Sequence, residues 1–171
     1  MSIADQRFTA SYDTIKAGDE LAKLFNIDLA DPLLRRRFES TDHRTGHLLS
    51  TSVSYIPQSL VESNPALLDE RNEPWPGGTQ HQLSTVGIEI MCMIDEVTAR
   101  MPTTVEVQMW DLSDGVPVLF CRRISVDTDG RTVEISDAHC PADRTELRFV
   151  TPLKPWSKPR AARPRRERGR N

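Results

Sequence analysis

Residues able to do chemistry gather at three places in this chain. Arg35, Arg36 and Arg37 follow one another in a strand-like stretch, and guanidinium groups there could hold an anion through charge-assisted, bidentate hydrogen bonds. Gly78, Thr79 and Gln80 open a helical stretch directly after a glycine-containing loop. A helix start of that kind presents free backbone N–H groups and the positive end of the peptide dipoles. Glu134 is a single carboxylate in the middle of a strand. An acid facing an anion clamp could serve catalysis as acid or base, yet the same groups serve simple binding. No Ser-His-Asp, Cys-His or metal-ligand spacing accompanies them, so the expectation is a binding domain, not an enzyme, with no catalytic residue, metal or cofactor.

The cysteines and histidines support that expectation. Cys92, Cys121 and Cys140 form neither a Cys-x-x-Cys pair nor an even framework, and read as buried, reduced thiols. Among His43, His47, His81 and His139 only the first two approach a ligand spacing, across a glycine turn, and they read as solvated.

These groups need elements to position them. Val116 to Cys140 reads as an antiparallel hairpin reversing at Asp129-Gly130, with Glu134 on the return strand. Asp19 to Phe25 is a short helix. Leu33 to Glu39 and Leu48 to Ile56 are strands, so the three arginines must alternate between faces. Asp69 to Gly78 reads as a loop and a candidate flap, followed by a helix from Thr79. Ile88 to Arg100 is a long strand; Thr103 and Glu106 form a capping box for a helix reaching Leu112. Glu146 to Thr151 is expected as a last strand. The domain boundaries are therefore a loose lead-in over 1–18, a folded domain over 19–153, and a basic, disordered tail over 154–171.

The chain of 171 residues is 37% hydrophobic and 27% charged, which suits one domain with polar appendages. It has no apolar run long enough for a membrane span and no signal-peptide pattern, so a cytoplasmic protein without a membrane partner is expected. The net charge of −3 hides an asymmetry: eight of the 22 basic residues and one of the 25 acids lie from Lys154 onward. The tail would attract a phosphate backbone weakly and without sequence preference, while the acidic body would repel it.

Five words in this order resemble one family: Ser54-Tyr55-Ile56-Pro57, Arg100-Met101-Pro102-Thr103, Gly115-Val116-Pro117-Val118-Leu119, Asp129-Gly130-Arg131 with Val133-Glu134, and Pro141-Ala142-Asp143-Arg144. Over about residues 20–152 the chain is similar to the UTRA effector-binding domain of HutC-type GntR transcription regulators. The resemblance implies an α+β fold like that of chorismate lyase, an antiparallel sheet flanked by helices, with dimerisation through this domain. It also implies a small, anionic effector bound by Arg35, Arg37, Ser52, Ser54, Gly78, Thr79, Gln80, Glu134 and Arg144. The chain departs from the family pattern at Gln80, where a tyrosine is usual, at Ser52, where an acid is usual, and at Cys140, where an aromatic is usual.

Regulators of this kind carry a winged helix-turn-helix before the effector domain, and residues 1–32 hold one short helix and too few apolar residues for its core. The expectation is an effector domain acting without its own DNA reader, as a homodimer or a heterodimer with a full-length regulator. A chorismate lyase-like enzyme, and a dimeric interaction module with a nucleic-acid-binding tail, are the alternatives.

Overall fold

The computed structural model describes residues 6–153. Six antiparallel strands form one sheet: β1 (Gln6–Lys16), β2 (Pro32–Asp42), β3 (Leu48–Pro57), β4 (Ile90–Arg100), β5 (Val118–Asp127) and β6 (Thr132–Pro141), in the order β1-β2-β3-β6-β5-β4. Two three-stranded meanders are thus joined at a central seam between β3 and β6. This is the α+β architecture expected, with helices on both faces of the sheet.

Strand parity divides the core. On one face Leu34, Ile56, Val61, Leu67, Leu83, Ile88 and Val133 pack together. This face is crossed by the long connection from β3 to β4, which holds α2 (Gln58–Val61), two 3₁₀ turns, the loop before Gly78, and α3 (Gly78–Ser84). On the other face α1 (Asp19–Phe25) lays Ala22 and Phe25 on Leu33 and Ile135. Burying the Phe25 side chain contributes about 1.5–3 kcal/mol. The helix α4 (Thr104–Trp110) seals the end of the sheet with Trp110 against Leu112 and Val118. The expected capping box is present: Thr103 Oγ1 accepts from the Glu106 N–H at 3.3 Å, and Glu106 Oε2 accepts from the Thr103 N–H at 2.8 Å.

Three local expectations need correction. The stretch read as a lead-in forms β1, paired with β2 from Gln6 opposite Asp42 to Lys16 opposite Pro32. Its stability lies in that ladder, because Phe8, Tyr12 and Ile15 are its only bulky apolar residues. Residues 145–153, expected to hold the last strand, have no regular structure, and Phe149, Val150 and Leu153 are exposed. Cys92, expected to be buried, is exposed on the uncovered edge strand β4, while Cys121 and Cys140 are partly buried.

Candidate functional site

The central seam carries a buried polar network. Arg36 lies directly opposite Ser54 across β2 and β3, and Ser54 lies opposite Ser136 across the seam, so these side chains share a face. Glu134, two residues from Ser136, emerges on that same face. The register between β5 and β6 slips there, with Ser125 opposite Glu134 and Val126 opposite Thr132, leaving Val133 as an extra residue in β6. Such a bulge lets Val133 join the apolar cluster while Glu134 keeps the polar one.

Arg36 is 2% exposed and Glu134 5%. The Arg36 Nη2 donates to Glu134 Oε1 at 2.6 Å, to Ser54 Oγ at 2.8 Å and to Thr79 Oγ1 at 3.1 Å, and Nη1 donates to Gln82 Oε1 at 2.6 Å. Glu134 Oε1 also accepts from the Ser54 hydroxyl at 2.7 Å and the Thr79 hydroxyl at 3.1 Å, and Oε2 from the Ser125 hydroxyl at 3.2 Å. Arg36 Nε, also buried, has no partner among the described residues. A buried ion pair gains through low local dielectric about what it loses in desolvation, so this one fixes geometry more than it adds stability.

Above the network lies a cleft of about 270 Å³, lined by Phe8, Phe38, Ser52, Glu73, Pro74, Trp75, Gly78, Thr79 and Gln82. Its roof is the loop expected as a flap. Glu73 ties that roof down: Oε1 accepts from the Tyr12 hydroxyl at 2.5 Å and the Gln82 amide at 2.8 Å, and Oε2 from the Trp75 N–H at 2.8 Å. Glu70 Oε2 accepts from the Tyr12 N–H at 2.9 Å. Burial, and then the bond to Glu73, push the Tyr12 phenol well above its ordinary value. Gly77, at φ +81°, makes the turn into α3, and a Cβ there would meet the His81 Cβ at 2.8 Å.

Of the residues expected to bind an effector, Ser52, Gly78 and Thr79 line the cleft, and Ser54 and Glu134 lie in the network beneath it. Four are not brought there. Arg35 and Arg37 take the opposite parity from Arg36 and point to the other face of the sheet, where both pair with Asp13. The hydrogen bond from Arg35 holds the Asp13 carboxyl below its ordinary range. Gln80 lines a separate hollow with Ser84 and Gly87, on the outer side of α3. Arg144 pairs with its neighbour Asp143 in the turn after β6, 3.0 Å from it. The expected anion clamp is therefore not assembled: Arg36, beneath the cleft, is already matched by Glu134, and Arg123, which shares its face of the sheet, is paired with Asp95.

Sequence reading missed Gln82, Glu73, Tyr12 and Ser125 and left Arg36 undistinguished within its run. Two signals were available. Arg36 sits between Leu34 and Phe38 at the strand period of two, and Gln82 stands three residues after Thr79, on the same helical face. Among the described residues no group of three or more His, Cys, Asp or Glu could hold a metal ion. No helix of the described residues is long and apolar enough to cross a membrane.

Comparison with known proteins bears on this arrangement. A protein described as a GntR-family transcriptional regulator superposes with a TM-score of 0.73 at 21% identity, covering 87% of this chain and 60% of that one. PhnF from Mycobacterium smegmatis superposes with a TM-score of 0.67 at 18% identity, over 87% of this chain and 64% of that one. The C-terminal domain of the histidine utilization repressor from Pseudomonas syringae gives 0.67 at 16% identity, over 86% of this chain and 100% of that domain. At such identities these likenesses show the fold, and the chain spans about 60% of the length of the first of these regulators. No curated protein sequence matches. The family model described as the UTRA domain matches residues 8–146, and the chain belongs to the UTRA domain family.

Proposed function

We propose that this chain is the ligand-sensing and dimerising part of a transcription regulator, with the cleft between the flap and the β3–β6 seam as its effector site. The carrying observation is the cleft itself, roofed by a loop and floored by the buried network of Arg36, Glu134, Ser54, Thr79 and Gln82. Binding domains of this sort act by population shift: a ligand that prefers one arrangement of the flap or of the subunits draws the molecule toward it. Glu73 suits such a device, since it joins the flap to β1 through Tyr12 and to α3 through Gln82. Moving the flap alters contacts with both elements. The basic stretch 154–171 would add weak, sequence-blind attraction to DNA.

The dimerising role is supported by β4, an edge strand on which Met91, Met93, Ile94 and Val97 are exposed. An unpaired apolar edge is a template for another chain. Residues 147–153 expose Leu147, Phe149, Val150 and Leu153 nearby in sequence to the end of β6, and they supply a second apolar surface for a partner copy.

Thermal-shift measurements on the full chain with pools of small metabolites, followed by titration calorimetry on the pool that responds, test the sensor reading. The expected result is a raised melting temperature with one pool and saturable binding of one compound, weakened in a Thr79→Val variant. No response to any pool would overturn the reading.

A further inference from the structure

The charges around the cleft do not cancel. Arg36 is matched by Glu134 at 2.6 Å, inside the floor. Glu73, in the lining, has only neutral donors: the Tyr12 hydroxyl, the Gln82 amide and the Trp75 N–H. Among the described residues no ion pair involves Glu73. A carboxylate offers about four acceptor positions, so Oε2, with a single donor, has room for another. Glu70, which accepts from the Tyr12 N–H, adds a second carboxylate to the same flap, whereas Asp69 and Arg71 neutralise each other. Glu70 and the Asp69–Arg71 pair lie outside the lining, so the one charged side chain lining the cleft is the acid Glu73.

Its wall is aromatic. Phe8, Phe38 and Trp75 all line the space, with the Phe8 and Phe38 rings stacked at 5.3 Å. Aromatic faces carry negative quadrupole density and attract cations, more so where water is partly excluded. Phe38 already shows that preference: the Arg36 guanidinium lies 5.6 Å from its ring centroid. Among the described residues the arginines on this face, Arg36 and Arg123, are already paired with Glu134 and Asp95, so an anionic ligand would meet Glu73 and the desolvation of its own charge would go uncompensated.

Resting on the sensor reading above, we propose that the cleft takes a compact organic cation, an amine or methylated ammonium group seated against Glu73 beside Phe8, Phe38 and Trp75. The carboxylate supplies the charge and the rings supply a surface that needs no hydrogen bond from the ligand, which suits ammonium groups bearing methyls. The volume of about 270 Å³ restricts the occupant to a small molecule.

The test uses the full chain and defined probes, read by calorimetry and thermal shift: tetramethylammonium and choline, the uncharged tert-butyl isostere of choline, inorganic phosphate and a hexose phosphate. The expected result is binding of both cations, with the isostere weaker by at least about tenfold. Glu73→Gln, which keeps the shape and an acceptor for Tyr12, should reduce cation affinity by about tenfold while leaving the isostere unchanged. Trp75→Leu should weaken the cations in a chain whose circular dichroism and melting temperature stay close to the parent's, which guards against a folding artefact in the first variant. Binding of a phosphate compound with no response to the cations would overturn the cation assignment and leave the sensor reading standing. Equal binding of choline and its isostere would likewise overturn it. If these probes and the metabolite pools all fail, the proposal and the sensor reading fall together.

Discussion

Replacing Arg36 by alanine strands Glu134 in a site where it is 5% exposed, with hydroxyl donors but no ion-pair partner among the described residues. Breaking a buried pair from one side costs about 3–5 kcal/mol, so urea unfolding of Arg36→Ala should show a large fall in midpoint. The double variant Arg36→Met with Glu134→Leu should recover much of that loss, because the two charges are desolvated together or not at all. Arg35→Ala and Arg37→Ala, whose partner Asp13 is 40% exposed, should each change stability by no more than about 1 kcal/mol. A single strand period separates these outcomes. That period was legible in the sequence, since three consecutive arginines cannot share a face. Which arginine turns inward was settled only by the register that puts Leu34 in the core, and register comes from pairing with β1 and β3, the strands before and after it, which the arginine run itself does not specify.

Caps and turns belong to the element scale, and here local sequence carries most of the information. The Thr103–Glu106 box is visible as residue spacing and present as hydrogen bonds, because both partners lie within one turn of the same helix. Thr103→Ala should cost about 1 kcal/mol, measured by chemical unfolding. Glu106 adds a pH dependence. Its hydrogen bonds from Arg100, at 2.6 and 2.7 Å, hold its carboxyl well below the ordinary 4.5, at about 2. Because the folded value is the lower one, the stabilisation is complete above pH 4.5 and is lost as pH falls toward 2. Arg100→Ala should flatten the loss of stability across that window, followed by melting temperature at stepped pH. The turn into α3 offers a matched comparison: Gly77→Ala meets both a positive φ and His81 at 2.8 Å, whereas Gly130→Ala, at φ +77°, has open space around it. Gly77→Ala should therefore be the more damaging of the two, and should disturb the cleft as well as stability. Strand β1 and the segment 145–153 were misread for the opposite reason. A polar strand whose order comes from its partner has little alternation to show, and alternating apolar residues become a strand only where an edge receives them.

At the scale of the whole molecule, the sheet order brings residues from β2, β3, β5, β6 and α3 to one point, which no local pattern announces. Motif words identified the family, and with it the fold, but the cleft's charge depends on Glu73, a residue in a loop that looked only polar and proline-rich. The same sheet order leaves β4 at one edge with Met91 62% and Ile94 48% exposed. Exposed apolar strands of this length invite pairing unless charge or proline blocks them, and in the middle of β4 Asp95 is already engaged by Arg123 of the neighbouring strand at 2.7 Å. If the edge is the subunit contact, lysine at Ile94 and Val97 should convert a dimer to a monomer in sedimentation equilibrium, with circular dichroism unchanged because neither side chain belongs to the buried core. Lysines at Thr9 and Ser11, on the opposite edge strand β1, should leave the association state as it was. A dimer surviving the β4 substitutions would move the contact to another surface. A monomeric parent chain would remove the dimerising role altogether, and any response to ligand would then have to reach DNA through a different partner.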